Sequence, residues 1–288
     1  MMGMAAGSPG AASLARSNNN LSRLRNDAMA RAGYFDPESS LFQTCPAVPR
    51  GGRGRKDAMN ALTNSPITGA LHRLHRDAQA SDLELMETMA KAFATAVPTG
   101  QVIADLLAEE RADYRGVCQG LSGNFLSVSP AYGRFLYMTA RACRARRIVE
   151  FGSSMGISSI YLASALRDNG GGRLIGSEIE TSKVVRAQFH LGAAELGDLV
   201  EIREGDALET LKDVGGPVDM LLLDGAMSLY LPVLKLIEPH LVSGAPVLAE
   251  NAFAEDYLDY VGDPRNGYLT LPLPIDRGRG NVYSVRVG

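Results

Sequence analysis

Polar residues able to do chemistry recur where short apolar runs stop. Glu150 and Gly152 close the run Arg146–Phe151, and Glu178 lies near the end of Arg173–Ile179. Asp206 follows Leu199–Arg203, Asp224 ends Val218–Asp224, and Glu250 and Asn251 end Ala245–Asn251. A carboxylate ending the second strand of a parallel sheet is placed to accept hydrogen bonds from both hydroxyls of a ribose, the role expected of Glu178. The bend Gly152-Ser153-Ser154-Met155-Gly156 lets backbone approach a ligand, and the helix after it offers free N–H groups to a carboxylate or phosphate. Asp206, ending the third strand, is placed to hold an adenine amino group. The order Gly152, Glu178, Asp206 therefore reads as a nucleoside site with a small charged tail. The same bend fits the G-x-S-x-G elbow of hydrolases, with Ser154, Asp224 and His240 in hydrolase order. That reading is weak, because only helical sequence precedes the bend, where a hydrolase has several strands. A dinucleotide site asks for G-x-G-x-x-G, and this spacing is absent.

These residues need a frame. Apolar runs alternating with helical stretches such as Ile157–Leu166 specify an α/β fold, doubly wound on a mostly parallel sheet that binds ligands beyond its carboxyl ends. Two final strands, Leu269–Leu273 and Asn281–Val287, are joined through Arg277-Gly278-Arg279-Gly280, read as a solvated turn. The first part of the chain is different. Residues 1–20 are rich in Gly, Ala, Ser and Asn and read as a disordered tail. A short helix is expected at Leu21–Ala32 and a flexible basic linker at Pro46–Lys56. From Thr68 to Ala96 the pattern is helical, with Leu71, Leu74, Leu83, Met86 and Phe93 as core contacts and His72 and His75 at the surface. Val97-Pro98-Thr99-Gly100 breaks it, and a second helix follows over Gln101–Tyr114.

Composition narrows the function. A formal charge of −3 over 288 residues makes no electrostatic case for nucleic acid. Cys45, Cys118 and Cys143 are too scattered for a disulfide framework or a CxxC metal site, which points to a reducing cytoplasm. No apolar run reaches the length of a membrane span, and the first twenty residues lack the basic start and apolar core of a signal peptide.

The chain resembles the catechol and caffeoyl-coenzyme A O-methyltransferase family, which uses S-adenosylmethionine. The resemblance rests on Leu126-Ser127-Val128-Ser129-Pro130, Ile148-Val149-Glu150-Phe151-Gly152, Arg173-Leu174-Ile175 with Glu178, Gly205-Asp206-Ala207, Leu223-Asp224-Gly225, Tyr230-Leu231-Pro232 and Ala249-Glu250-Asn251. It covers about residues 120–288, the cofactor-binding domain, and leaves 21–119 as a helical extension or lid. It implies a seven-stranded class I methyltransferase sheet, O-methylation of a small hydroxylated, aromatic or natural-product acceptor, and a homodimer. It also implies roles for single residues. Glu150, Gly152, Ser153 and Ser158 surround the methionine part of the cofactor, Glu178 and Ile179 the ribose, and Asp206 and Ala207 the adenine. Ser127 and Val128 close over it. Asp224, Glu250 and Asn251 fall on the positions that hold Mg²⁺ or another divalent cation, Asp224 orienting both metal and substrate. Two departures stand out. Glu250 replaces the family's usual aspartate, and Met227 replaces a lysine that helps deprotonate the substrate. Methionine neither accepts a proton nor donates a hydrogen bond, and Met227 is read as an apolar pocket wall. Metal-independent N- or C-methylation, or cofactor binding with little catalysis, are the rival readings.

Overall fold

A computed structural model describes residues 60–93, 99–276 and 279–288. The tail, the helix at 21–32, the linker near 46–56 and Arg277 lie outside the described residues, as does the side chain of Phe93.

The described chain forms a seven-stranded sheet flanked by helices. A turn of 3₁₀ helix at Ala61–Thr63 leads into α1 (Ser65–Phe93), α2 (Thr99–Gly120) and α3 (Pro130–Ala142). Then follow β1 (Arg147–Phe151), α4 (Ile157–Asp168), β2 (Arg173–Glu178), α5 (Thr181–Ala193), β3 (Val200–Glu204), α6 (Ala207–Thr210) and β4 (Met220–Leu223). The chain ends with α7 (Tyr230–Ile237), β5 (Pro246–Ala249), α8 (Glu255–Gly262), β6 (Tyr268–Pro272) and β7 (Val282–Arg286). The strand order is β3-β2-β1-β4-β5-β7-β6. Strands β1 to β5 pair in parallel, and β7 is antiparallel to both β5 and β6.

The residues explain this division. β1, β4 and β5 are apolar on both faces and nearly wholly buried, as strands covered by helices on each side must be. β6 and β7 carry partly exposed positions, which suits an antiparallel edge. Side chains alternate between faces. Ile148, Leu174, Met220, Leu222 and Leu248 pack with α1, α3 and α4, whereas Val149, Ile175, Leu221, Leu223 and Val247 pack with α2, α7 and α8. Connections reverse direction between β1 and β4, so a crevice opens there at the carboxyl ends.

Of the expected core contacts in α1, Leu71 and Leu74 are buried, but Leu83 is 50% exposed. Its neighbour Asp82 takes the inward place because three donors await its carboxylate. His75 is not at the surface. It is half-buried, with Nε2 3.1 Å from the Tyr161 hydroxyl, and burial lowers its pKa to about 4, with the charges of His72 and Arg134 adding to the effect. The second helix runs longer than expected and kinks at Asp113 (φ −156°, ψ 70°).

Candidate active site

The bend after β1 shows how the crevice is made. Gly152 has φ +90°, and a Cβ there would stand 2.3 Å from the Asp224 carbonyl oxygen. Only glycine lets the ends of β1 and β4 approach this closely. The amides of Gly152 and Ser153 donate to the Ser177 carbonyl at 3.0 and 3.1 Å, which fixes the bend to β2. Glu178 then faces it. Its Oε2 accepts from the Ser154 amide at 2.7 Å, and its Oε1 accepts from the Glu180 amide at 3.0 Å. A carboxylate has about four acceptor sites, so each oxygen keeps one for a ligand hydroxyl.

Glu150 does something other than line the crevice. It is fully buried behind the bend, where Oε2 accepts from Ser153 Oγ at 2.8 Å and Ser159 Oγ at 2.5 Å. Burial pushes its carboxyl pKa up, against the hydrogen bonds from Ser159, Ser158 and Ser153. Glu150 therefore holds the bend in shape. Its strand-end position resembles that of a ligand contact, but its side chain points into the core.

At the other end of the crevice, Asp206 caps α6 by accepting from the Leu208 amide at 3.0 Å. Its Oδ2 also accepts from the Tyr114 hydroxyl at 2.6 Å and from Arg115 Nη2 at 2.8 Å. Burial alone would raise its pKa, but the Tyr114, Leu208 and Arg115 hydrogen bonds prevail and lower it. Helix α2 is thus latched onto the site by a residue expected to hold adenine. Beside it, Asp82 of α1 accepts from the amides of Phe125 and Leu126, each at 2.9 Å. This brings Phe125–Val128 over the crevice mouth, where Ser127 and Val128 line it with Tyr114. Gly152, Ser153, Ser158, Glu178, Ile179, Asp206, Ala207 and Asp224 line the same cavity. Sequence reasoning missed Tyr114, Cys118, Lys183 and Arg279 among its lining residues.

The three positions expected to hold a cation lie just beyond β4 and β5. Asp224 and Asn251 line the cavity, but Glu250 does not and is only 1% exposed. Glu250 Oε1 instead accepts from Arg279 Nη1 in a buried ion pair. Burial, and next the charge of the neighbouring Glu250, pushes the Asp224 carboxyl pKa well above the usual carboxylate range. Divalent cations of the magnesium and calcium class need about six hard oxygen ligands in open geometry. Here one expected ligand is turned away and neutralised, so the arrangement does not fit such an ion. Among the described residues, no group of three or more His, Cys, Asp or Glu is disposed around a metal position. Met227 is also misplaced in the sequence reading. It is buried in the core cluster containing Leu107 and Tyr230 and does not line the cavity.

The hydrolase reading fails on geometry. Ser154 Oγ donates to the Phe125 carbonyl at 2.7 Å. His240 is half-buried, and its carbonyl bonds the Val218 amide at the amino end of β4, roughly 20 Å of extended chain from Asp224.

Comparison with known proteins agrees with the fold. Residues 149–252 match the family described as a methyltransferase domain. A catechol O-methyltransferase of Niastella koreensis is 33% identical over 142 residues, 44% of this chain and 63% of that protein. A catechol O-methyltransferase of Mycobacterium tuberculosis is 36% identical over 100 residues, 34% of this chain and 44% of that protein. The chain thus spans 63% and 44% of the length of these curated relatives. Among solved structures, the O-methyltransferase TomG of Streptomyces achromogenes, in complex with SAM, aligns with a TM-score of 0.51 at 22% identity, over 74% of this chain and 98% of that one. A putative O-methyltransferase from Klebsiella pneumoniae aligns with a TM-score of 0.52 at 19% identity, over 75% of this chain and 100% of that one. Residues 149–252 match the methyltransferase-domain family, and the seven strands adopt the class I methyltransferase fold.

Proposed function

We propose that the protein is an S-adenosylmethionine-dependent methyltransferase that methylates a hydroxyl of a small, aromatic or natural-product acceptor. The observation that carries this reading is the Glu178 carboxylate. Two backbone amides hold it at the crevice, and it keeps one acceptor site per oxygen for a ribose diol. Gly152 and Ser153 bring the amide-bearing bend to the methionine end, and Tyr114 offers a ring beside Ala207 for the adenine. S-adenosylmethionine, when bound, would be held by Glu178 and the Gly152–Ser153 bend and would supply a sulfonium-activated methyl group for transfer to the acceptor oxygen.

The chain's own contribution is orientation, which is worth up to about 7–11 kcal/mol in reactions of this kind. Leu126, Ala226 and Leu229 give the cavity apolar walls beside Asp224 and Asn251, which supports a small, flat acceptor carrying oxygen. The latch of α2 on Asp206 and the Phe125–Val128 segment cover the site against water. The same reading includes a homodimer in the cytoplasm, testable by sedimentation and cell fractionation. Among the described residues, no helix is long and apolar enough to cross a membrane.

The test is radiolabelled methyl transfer from S-adenosylmethionine to a panel of phenols, catechols and amines, with calorimetric titration of S-adenosylhomocysteine alongside. Transfer to a hydroxyl is the expected result. Binding without transfer to any member would favour a cofactor-binding protein, and transfer to amines alone would favour N-methylation. No binding at all would remove the proposal.

A further inference from the structure

We infer that Arg279 is the resident cation of this site, standing in for the divalent ion, so that the protein takes up no metal there. This rests on the methyltransferase reading above and deepens it. The guanidinium is 6% exposed, is paired with Glu250 and lines the cavity with Asp224 and Asn251. It therefore presents a fixed positive charge beside the two residues that face an acceptor.

The fold is built to deliver it. β7 pairs antiparallel to β5, with Val282 opposite Ala249, so the residues before Val282 run past Glu250 and Asn251. The Asn251 amide donates to Asn281 Oδ1 at 3.2 Å, and the Ala252 amide donates to the Gly280 carbonyl at 3.0 Å. Gly280 has φ +66°, and a Cβ there would meet the Phe253 ring at 2.5 Å, so glycine is needed to bring Arg279 inward at this point. From the other side, Asp276 accepts from Ser129 Oγ at 2.6 Å, tying the turn to the start of α3. The longer glutamate fits this arrangement, since its extra methylene carries the carboxylate away from the cavity and onto the guanidinium. A purely structural ion pair would need neither partner at the cavity wall. Here the cationic partner is at the wall and the anionic one behind it.

A guanidinium cannot lose its proton at physiological pH and offers several donors in a fixed fork. It favours an acceptor bearing an oxygen with developing negative charge and needs no ion from solution. A divalent ion entering beside it would meet a like charge and would find Glu250 already engaged.

The experiment uses the full-length protein and Mn²⁺ as the probe, read by the electron paramagnetic resonance signal of the free ion. It is run with and without S-adenosylhomocysteine. The wild-type signal should match the protein-free control in both states. Arg279→Met, which removes the charge but keeps the bulk, should lower the signal as Asp224 and Glu250 are released to bind Mn²⁺. Arg279→Lys, which keeps a positive charge, should behave as wild type. Stoichiometric Mn²⁺ uptake by the wild type would overturn the inference, as would an Arg279→Met protein that takes up none. The wild-type measurement decides even where Arg279→Met does not fold. Failure of the methyltransferase reading is separable, since it would appear as absent S-adenosylhomocysteine binding whatever the Mn²⁺ signal.

Discussion

Glu178→Ala tests the cofactor site most directly. The wild-type carboxylate is 8% exposed and already receives the Ser154 and Glu180 amides, so its orientation is set before any ligand arrives. A hydrogen bond to a charged acceptor contributes about 1.5–3 kcal/mol. Two ribose hydroxyls on one preorganised carboxylate therefore contribute about 3–6 kcal/mol, which is roughly 10²- to 10⁴-fold in dissociation constant. Titration calorimetry with S-adenosylhomocysteine should show that loss for Glu178→Ala. Glu178→Gln should fall between, because its amide keeps one oxygen acceptor but turns an NH₂ group toward one of the two backbone donors. Thermal melts without ligand separate binding from folding: the variant should melt as one cooperative unit, lowered by a few degrees at most. A Glu178→Ala protein that binds S-adenosylhomocysteine as tightly as wild type would refute the reasoning, since Glu178 is the carboxylate that the Ser154 and Glu180 amides fix at the bend.

Three further outcomes follow from the geometry. Gly152→Ala should cost about 2–5 kcal/mol of stability, measured by urea unfolding, because it combines left-handed backbone with a Cβ 2.3 Å from the Asp224 carbonyl oxygen. Arg279→Met should cost about 3–5 kcal/mol by leaving Glu250 buried without its partner, and adding Glu250→Gln should recover much of that loss. His75 should make stability depend on pH. Its folded pKa of about 4 lies below the ordinary histidine value of 6.5, so the unfolded chain binds the extra proton more readily. The contribution is fully present above pH 6.5 and is lost as pH falls through 4, a difference on the order of 3 kcal/mol. Unfolding free energies for wild type and His75→Leu between pH 7 and 4 should diverge accordingly, and parallel curves would refute it.

Much of the cavity lining at the ends of β1 to β3 was legible in the sequence because each of its parts is local. A parallel strand, a bend and a helix start lie within a dozen residues of one another, and the residue ending each strand must face the crevice. Gly152, Glu178 and Asp206 were expected from that rule, and all three line the cavity. Glu150 obeys the same positional rule, but the strand's alternation turns its side chain inward, a distinction that one residue of register decides. Asp206 was visible, but its partners were not. Tyr114 comes from a helix 92 residues earlier, and its approach depends on how α2 packs. The inward Asp82 and outward Leu83 could not be separated by helical periodicity, because what decides between them is the set of unpaired amides in the Asn124–Leu126 segment that Asp82 receives.

Arg279 was the hardest to see, since only the antiparallel return of β7 carries it to Glu250. A signal was present all the same, in the departures at 227 and 250 taken together. Arg279 already pairs with Glu250, and burial, with the charge of Glu250, pushes the Asp224 carboxyl pKa up. A lysine at 227 would put a charge at a position that is 8% exposed and packed among core residues. Glutamate at 250 and arginine at 279 thus form one electrostatic arrangement, beside which methionine at 227 packs in the core. Restoring any one of the family residues alone should therefore weaken the fold more than it helps the chemistry.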